Sequence, residues 1–114
     1  MIKEGHYANF GAAGARTEMP GCSLCMGNQA QVRECATLVS TSTRNFPKRL
    51  GKNTNVFLTS AELAEIASKL GHIPTVAEYH EAMGVVNKDG AAIYKYLNFN
   101  QIDEYVENAK GVAA

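Results

Sequence analysis

The sequence predicts an α/β domain in which short parallel strands are followed by helices. Two short apolar runs, residues 36–39 and 56–58, are partly β-branched and indicate buried strands. Helix-start patterns come after the second run, beginning at Thr59. Strands followed by helices favour a parallel sheet, in which ligands bind beyond the carboxyl ends of the strands.

The composition is that of an ordinary globular domain. At 114 residues, 46% hydrophobic and 19% charged, the chain is long enough for one core. Residues 1–114 contain no repeat or linker and are therefore predicted to form a single unit without an internal boundary. A formal net charge of zero gives no electrostatic reason to expect nucleic acid or a membrane as a partner. Because no apolar run approaches the roughly 20 residues that cross a bilayer, and the first residues lack the apolar centre of a signal peptide, we expect a cytoplasmic location.

The amino-terminal segment is expected to be a loop that leads into a tight turn. Gly11, Gly14 and Pro20 interrupt it, and residues 15–19 have the pattern of a short extended stretch. Gly21 opens the turn, since glycine lets the backbone approach a bound group closely. The following run, CSLCMGN, is expected to begin a short helix with both thiols near its start.

Polar residues follow the first predicted strand. Ser40, Thr41, Ser42 and Thr43 come directly after the apolar run, and Arg44 follows them. In a parallel sheet this position lies where a ligand binds.

A first helix is predicted after the second strand. Thr59 and Glu62 have the spacing of a capping box, and Gly71 ends the pattern. Apolar residues recur between them at helical spacing on one face: Leu63, Ile66, Ala67 and Leu70.

Two further helices are predicted towards the end of the chain. Thr75 and Glu78 form a second capping box, for a helix that should end near Gly84. Asn100 is expected to cap the last helix. The apolar faces of both helices are expected to pack against the strands; they consist of Tyr79 and Met83, and of Ile102, Tyr105 and Val106.

The chain has three cysteines, two of them spaced as Cys22-Ser-Leu-Cys25. In a reducing compartment this spacing indicates metal or redox chemistry more than a structural disulfide. Zinc ribbons, thioredoxin-like proteins and iron-sulfur proteins all use it. The sequence has neither the second pair of a zinc ribbon nor the aromatic residue that usually precedes a redox dithiol, which counts against those two classes.

Four stretches of the sequence resemble a known family. They are MPGCSLCMGNQAQV at 19–32, VSTSTRNFPKRLG at 39–51, NVFLTSAELA at 55–64 and YKYLNFN at 94–100. Together they resemble the carboxy-terminal part of the iron-sulfur, or cluster-binding, domain of the bacterial B-type aconitate hydratases, over nearly the entire chain. The resemblance implies part of the three-layer α/β/α fold of that domain.

The resemblance also implies a 4Fe-4S cluster held by three cysteine thiolates, with one iron left open to substrate and water. Cys22 and Cys25 match the family's paired ligands, and the third cysteine is expected upstream. The open iron would act as a Lewis acid in the interconversion of citrate and isocitrate through cis-aconitate, with 2-methylisocitrate as a further candidate substrate. Cys35 matches a position that is not a ligand, and we expect it to be a small buried or semi-buried residue.

Arg44 and Arg49 match the family's substrate-binding arginines. Guanidinium groups bind carboxylates through two parallel hydrogen bonds and keep their charge, which suits a tricarboxylate substrate. Weaker, supporting roles are expected for neighbouring polar residues: Ser42, Thr43, Asn28, Gln29 and Asn45. The histidines match no catalytic role and are expected to be structural or surface residues: His6, His72 and His80.

The resemblance places no catalytic residue within this chain, because the family's serine base and its Asp and His pairs lie upstream. Without the remainder of the parent enzyme, the isolated chain is therefore expected to be inactive. Two other classes of function stay open, a small cytosolic metal or redox protein that uses Cys22 and Cys25, and an RNA-binding module. Some aconitases bind messenger RNA in their cluster-free form, but the zero net charge weakens that alternative.

Overall fold

The computed structural model describes residues 1–19, 21 and 23–110, with the side chains of Ser23 and Phe99 excepted. Helices and a two-stranded sheet confirm the predicted α/β class. The elements are, in chain order, α1 (His6–Ala12), α2 (Ser23–Met26), β1 (Thr37–Ser40), β2 (Asn55–Leu58), α3 (Ala61–Leu70), α4 (Val76–Lys88), α5 (Gly90–Ile93), two 3-10 turns (Lys95–Leu97 and Phe99–Gln101) and α6 (Asp103–Lys110).

The chain folds as two compact units. The first comprises Met1–Leu38 and Ser42–Val56, and the second comprises Val39–Thr41 and the residues from Phe57 onward. The assignment of residues 1–114 to one domain without an internal boundary stays a prediction.

The amino-terminal segment is helical, so the predicted loop is wrong. α1 follows Gly5, whose φ is 76°, and after its end the amide of Ala15 donates to the carbonyl of Phe10 at 2.9 Å. The prediction treated Gly11 as a breaker, but a single glycine in a helix costs only about 1 kcal/mol relative to alanine. Residues 15–19 lie in neither a helix nor a strand.

The two predicted strands are present and parallel. The amide of Asn55 donates to Ala36 and the amide of Thr59 donates to Ser40, both at 2.9 Å, so the pairing advances in the same direction along both strands. Their predicted burial is wrong, because β1 is at most half-buried and Phe57 and Leu58 are 47% and 46% exposed. Two strands alone do not provide the covering layers that bury a parallel sheet on both faces.

The predicted cap of α3 is wrong by one residue. Ser60 is the N-cap, and its Oγ accepts a hydrogen bond from the amide of Leu63 at 3.2 Å. Thr59 does not cap the helix because its amide still belongs to the sheet, where it donates to Ser40. The predicted end is confirmed, since Gly71 has a φ of 77° and donates to Ala67. Ile66 and Ala67 from the predicted apolar stripe are buried.

The capping box of α4 is confirmed in both directions. The amide of Glu78 donates to Thr75 Oγ1 at 3.3 Å, and the amide of Thr75 donates to Glu78 Oε2 at 2.8 Å. The predicted end near Gly84 is wrong, because α4 continues to Lys88. An isolated glycine weakens a helix without ending it unless the backbone turns left-handed. Tyr79 and Met83 are both half-buried on one face, as predicted.

The last predicted helix exists as α6, but Asn100 does not cap it. Asn100 lies in the 3-10 turn Phe99–Gln101, and the carbonyl of Ile102 accepts the first helical bonds, from Tyr105 and Val106 at 3.0 Å each. Asp103 and Glu104 occupy the first turn, where negative charge stabilises the helix dipole. α5 and the two 3-10 turns were not predicted.

Candidate functional site

The candidate site lies in the first unit, around the short helix α2. Cys25 is the third residue of α2, and it is half-buried. The amide of Gly27 donates to the carbonyl of Leu24 at 3.2 Å and closes the turn after Cys25. The short helix predicted for this motif is therefore confirmed, whereas Cys22, the other predicted ligand, and Pro20 lie outside the described residues.

Gly27 is required by its surroundings. Its φ is 73°, and a Cβ at this position would lie 2.1 Å from the carbonyl oxygen of Arg49. The left-handed backbone and the close approach of Arg49 both disfavour any side chain at this position. Another residue would fit only if the local backbone moved. The turn after Cys25 therefore lies directly against the backbone of Arg49.

Arg49 is buried, with 2% of its surface exposed. Its Nη1 donates to the carbonyl of Leu24 at 3.0 Å. A buried guanidinium is stable only when it is paired or hydrogen-bonded, since removal from water is costly. The structure thus brings the side chain of Arg49 to the segment that carries Cys25.

Arg44 is exposed and also reaches α2. Its Nη1 donates to Met26 Sδ at 3.0 Å, and its amide donates to Ser42 Oγ at 3.2 Å. Ser42 therefore shapes the turn at Arg44. Both predicted arginines contact the residues that flank Cys25, Arg49 at Leu24 and Arg44 at Met26.

The weaker candidates have different environments. Thr43, Asn28 and Asn45 are exposed. Gln29 Nε2 donates to Glu18 Oε2 at 3.0 Å, and Glu18 also pairs with Arg16.

The predicted burial of Cys35 is wrong. Its thiol is free and exposed, and its backbone has a φ of 61°. The amide of Cys35 donates to the carbonyl of Lys52 at 3.2 Å, which fixes a left-handed turn before β1. The turn geometry decides the exposure here, against the usual preference of cysteine for the interior.

The three histidines lie at the surface. His72 Nε2 is 3.4 Å from Glu78 Oε2, and the ring of His80 packs edge-on against Tyr79. His6 lies 3.7 Å from Glu4. These contacts agree with the structural or surface role expected for them.

Sequence reasoning missed the contacts of Met26, Gly27 and Leu24. Met26 and Gly27 follow the cysteine pair directly, and a glycine at the end of a short helix commonly takes the left-handed conformation. That pattern was sufficient to predict the turn at Gly27. No sequence pattern predicts that Arg44 donates to the Met26 thioether or that Arg49 donates to the Leu24 carbonyl. Both contacts depend on how residues 42–51 fold back onto α2.

Over the part of the chain that the structure describes, no three His, Cys, Asp or Glu side chains are close enough to hold a metal ion together. The described helices are also too short or too polar to cross a membrane.

Comparisons with known proteins connect this geometry to one family. The model of the aconitase family (aconitate hydratase) matches residues 1–71. Aconitate hydratase B of Escherichia coli (strain K12) is 57% identical over 98% of this chain, which covers 13% of that protein. The corresponding protein of Pseudomonas aeruginosa is 57% identical over 96% of this chain and 12% of its own length.

A second kind of relative matches a shorter part of the chain. The 3-isopropylmalate dehydratase large subunit of Bacillus thuringiensis subsp. konkukian is 42% identical over 62% of this chain and 16% of its own length. The chain therefore spans a small fraction of the length of each of these relatives.

Proposed function

The chain belongs to the aconitase family, and we propose that residues 1–114 are one part of a longer B-type aconitate hydratase. The proposed enzyme is a lyase that interconverts citrate and isocitrate through cis-aconitate, with 2-methylisocitrate as a further candidate substrate. The observation that carries the proposal is identity of 57% across 98% of the chain. We place the enzyme in the cytoplasm and its reaction in the tricarboxylic acid cycle.

We propose that Cys25 is one ligand of a 4Fe-4S cluster, together with Cys22 and a third cysteine from the rest of the enzyme. The described residues fit this group, because Cys25 is a half-buried cysteine on a turn whose shape is fixed at Gly27. Thiolates are the usual ligands of such clusters. When bound, the cluster supplies an iron that polarises the substrate hydroxyl.

Arg44 is the proposed carboxylate-binding residue of this chain. Its guanidinium is exposed beside Met26, and a single donor contacts the Met26 thioether, which is a weak acceptor. A guanidinium has five N–H donors, so the group can orient a carboxylate through its planar fork. This places a positive charge next to the residue that follows the proposed cluster ligand.

Arg49, Thr43 and Asn28 complete the proposed contribution of the chain. We assign Arg49 to substrate binding on the family match. Thr43 and Asn28 are exposed and have side chains that can hydrogen-bond to substrate or to a cluster sulfur. Ser42 contributes by holding the turn at Arg44.

The groups that move protons belong to the remainder of the enzyme in this proposal. The chain supplies thiolate ligands and positive charge, and the serine base comes from elsewhere in the polypeptide. Groups that act as a unit lose nearly all of their effect when separated, so the isolated chain should be inactive. The charge balance of the chain offers no support for messenger RNA binding by this segment.

The proposal is tested with the complete enzyme, purified without oxygen. Citrate, isocitrate and 3-isopropylmalate are offered separately, and formation of the unsaturated acid is followed by ultraviolet absorbance. We expect turnover of citrate and isocitrate, with 3-isopropylmalate as a poor substrate. Turnover of 3-isopropylmalate in preference to citrate would reject the aconitate hydratase assignment and favour the function named for the second kind of relative.

A further inference from the structure

We propose that Arg49 is a positioning residue for the Cys25 thiolate, which it holds in place through the turn formed by residues 24–27. This inference rests on the proposed function, because it concerns the cluster that Cys25 binds. It gives Arg49 a role in retaining the cluster, in addition to the role in substrate binding that the family match implies.

The first observation is the buried hydrogen bond of Arg49. Its Nη1 lies 3.0 Å from the carbonyl oxygen of Leu24, the residue directly before Cys25. The same carbonyl accepts the amide of Gly27 at 3.2 Å. Two donors therefore fix one carbonyl group, and its orientation sets the direction of the peptide that leads into Cys25.

The second observation is that the backbone of Arg49 contacts the other end of the same turn. Its carbonyl oxygen would be 2.1 Å from a Cβ at Gly27, and its Cα would be 3.1 Å away. Arg49 thus contacts the residues on both sides of the Cys25-Met26 pair, at Leu24 with its side chain and at Gly27 with its main chain.

The third observation is that the residues after Arg49 continue this contact. The amide of Val32 donates to the carbonyl of Leu50 at 2.8 Å. A Cβ at Gly51, whose φ is 143°, would be 2.8 Å from the carbonyl oxygen of Val32. Residues 49–51, called the anchor segment here, therefore lie along the chain from Leu24 to Val32. The contacts of Leu50 and Gly51 with Val32 hold the backbone that carries Arg49.

The environment of Arg44 differs in each of these respects. Arg44 is exposed, and the contact of its guanidinium is to a thioether on the side of α2. Groups that orient a metal ligand without touching the metal typically change metal affinity or activity by about 10- to 100-fold when they are mutated. By this criterion Arg49 should affect cluster retention, and Arg44 should not.

The test compares Arg49→Lys with Arg44→Lys in the complete enzyme. Iron and acid-labile sulfide are measured over time in the presence of an iron chelator, and the electron paramagnetic resonance spectrum of the oxidised cluster is recorded for each protein. We expect Arg49→Lys to lose its cluster about ten-fold faster than the unmodified enzyme and to show an altered spectrum. Arg44→Lys should match the unmodified enzyme in both measurements.

A pair of glycine variants provides a second test that does not alter any charge. Gly27 and Gly14 have φ values of 73° and 74°, but a Cβ at Gly14 would meet nothing within 4 Å. Both alanine variants therefore carry the same backbone strain, and Gly27→Ala alone also displaces the backbone of Arg49. We expect faster cluster loss in Gly27→Ala than in Gly14→Ala, which tests the contact even if Arg49→Lys does not fold.

Two different failures can be told apart. An unmodified enzyme without iron and sulfide contradicts the proposed function itself. An unmodified enzyme that holds its cluster, with Arg49→Lys and Gly27→Ala losing it no faster than their controls, contradicts the positioning role of Arg49 alone.

Discussion

Arg44 and Arg49 are the same residue type in one loop, yet their environments are opposite. Arg49 is 2% exposed and bound to a backbone carbonyl, whereas Arg44 is exposed beside a thioether. A buried guanidinium is constrained by the acceptors around it, and an exposed one can reorient towards an incoming carboxylate. Arg44 is therefore the better candidate for a contact that forms only when substrate binds.

For Arg44→Lys we predict a citrate KM about ten-fold higher with an unchanged cluster content. Lysine keeps the charge but loses the planar fork, and a hydrogen bond to a charged group contributes about 1.5–3 kcal/mol. Steady-state kinetics of the complete enzyme measure the effect. Arg16→Lys is the matched control, since Arg16 is exposed and pairs with Glu18. An unchanged citrate KM in Arg44→Lys would remove Arg44 from the substrate site.

At this scale the sequence identified the candidate residues but not their surroundings. The resemblance assigned Cys25, Arg44 and Arg49 to one site, and the structure brings all three to the same turn. Residue type alone did not reveal that Arg49 is buried, because its burial depends on a carbonyl at Leu24 that is distant in sequence. Cys35 was misassigned for a similar reason, since a left-handed turn keeps its thiol at the surface.

Among the elements, those specified by local patterns were predicted best. The capping box of α4 needs only Thr75 and Glu78, and both hydrogen bonds form. The cap of α3 was predicted one residue too early. The amide of Thr59 donates to Ser40 in the sheet, a contact between residues distant in sequence, and Ser60 caps the helix instead. Helix α1 was missed because Gly11 was given the weight of a helix breaker, and Gly84 caused the same error in α4.

A tyrosine joins the first turn of α3 to the residue that follows α5. Tyr94 Oη donates to Glu62 Oε1 at 2.8 Å. The pKa of Glu62 is lowered from its ordinary value, first by its own backbone N–H and then by hydrogen bonds from Tyr94 and Ser60. The pKa of Tyr94 is raised, mainly because the ionised tyrosine could no longer donate to Glu62.

These two pKa directions define the pH range in which the pair stabilises the fold. A lowered carboxyl pKa contributes stability above the ordinary pKa of glutamate, and that contribution is lost as the pH falls through the lowered value. A raised tyrosine pKa contributes stability below the ordinary pKa of tyrosine, and it is lost as the pH rises through the raised value. The contribution of the pair is therefore largest around neutral pH.

We predict that Tyr94→Phe makes the amides of α3 exchange faster with solvent at neutral pH, and that the difference shrinks as the pH falls below the pKa of Glu62. Hydrogen exchange measured by mass spectrometry on the complete enzyme reports this local opening. Tyr96→Phe is the control, because Tyr96 is 53% exposed and its ring contact with Lys95 survives the change. Equal exchange in Tyr94→Phe and Tyr96→Phe would show that the hydrogen bond contributes nothing to α3.

At the scale of the whole molecule, little of the apolar surface is covered. Among the described residues, the buried hydrophobic side chains are Leu50, Ile66 and Ala67, while large apolar side chains of both units are exposed. A chain of 114 residues that folds alone is expected to bury more apolar surface than these three side chains provide. The exposed apolar surface supports the proposal that the chain packs within a longer enzyme, whose remainder covers it.

The α/β class was predictable from the sequence, and the burial of the strands was not. The apolar runs that form β1 and β2 have the composition of strands covered on both faces. That composition correctly indicates where the strands lie, but the covering layers must come from other elements. In the proposed enzyme those layers belong to the remainder of the polypeptide. The apolar composition of β1 and β2 is therefore explained by burial in the complete enzyme, which this chain alone does not provide.

The central claim is that Cys25 helps to hold an iron-sulfur cluster for the aconitate hydratase reaction. Iron and acid-labile sulfide in the complete enzyme, purified without oxygen, test it most directly when Cys25→Ser is compared with Cys35→Ser. Both residues are cysteines of the same unit, so the pair controls for the replacement of a cysteine by serine. We predict about four iron and four sulfide per enzyme in the unmodified protein and in Cys35→Ser, and neither in Cys25→Ser. An unmodified enzyme without iron and sulfide, or a Cys25→Ser enzyme that retains both, would contradict the claim.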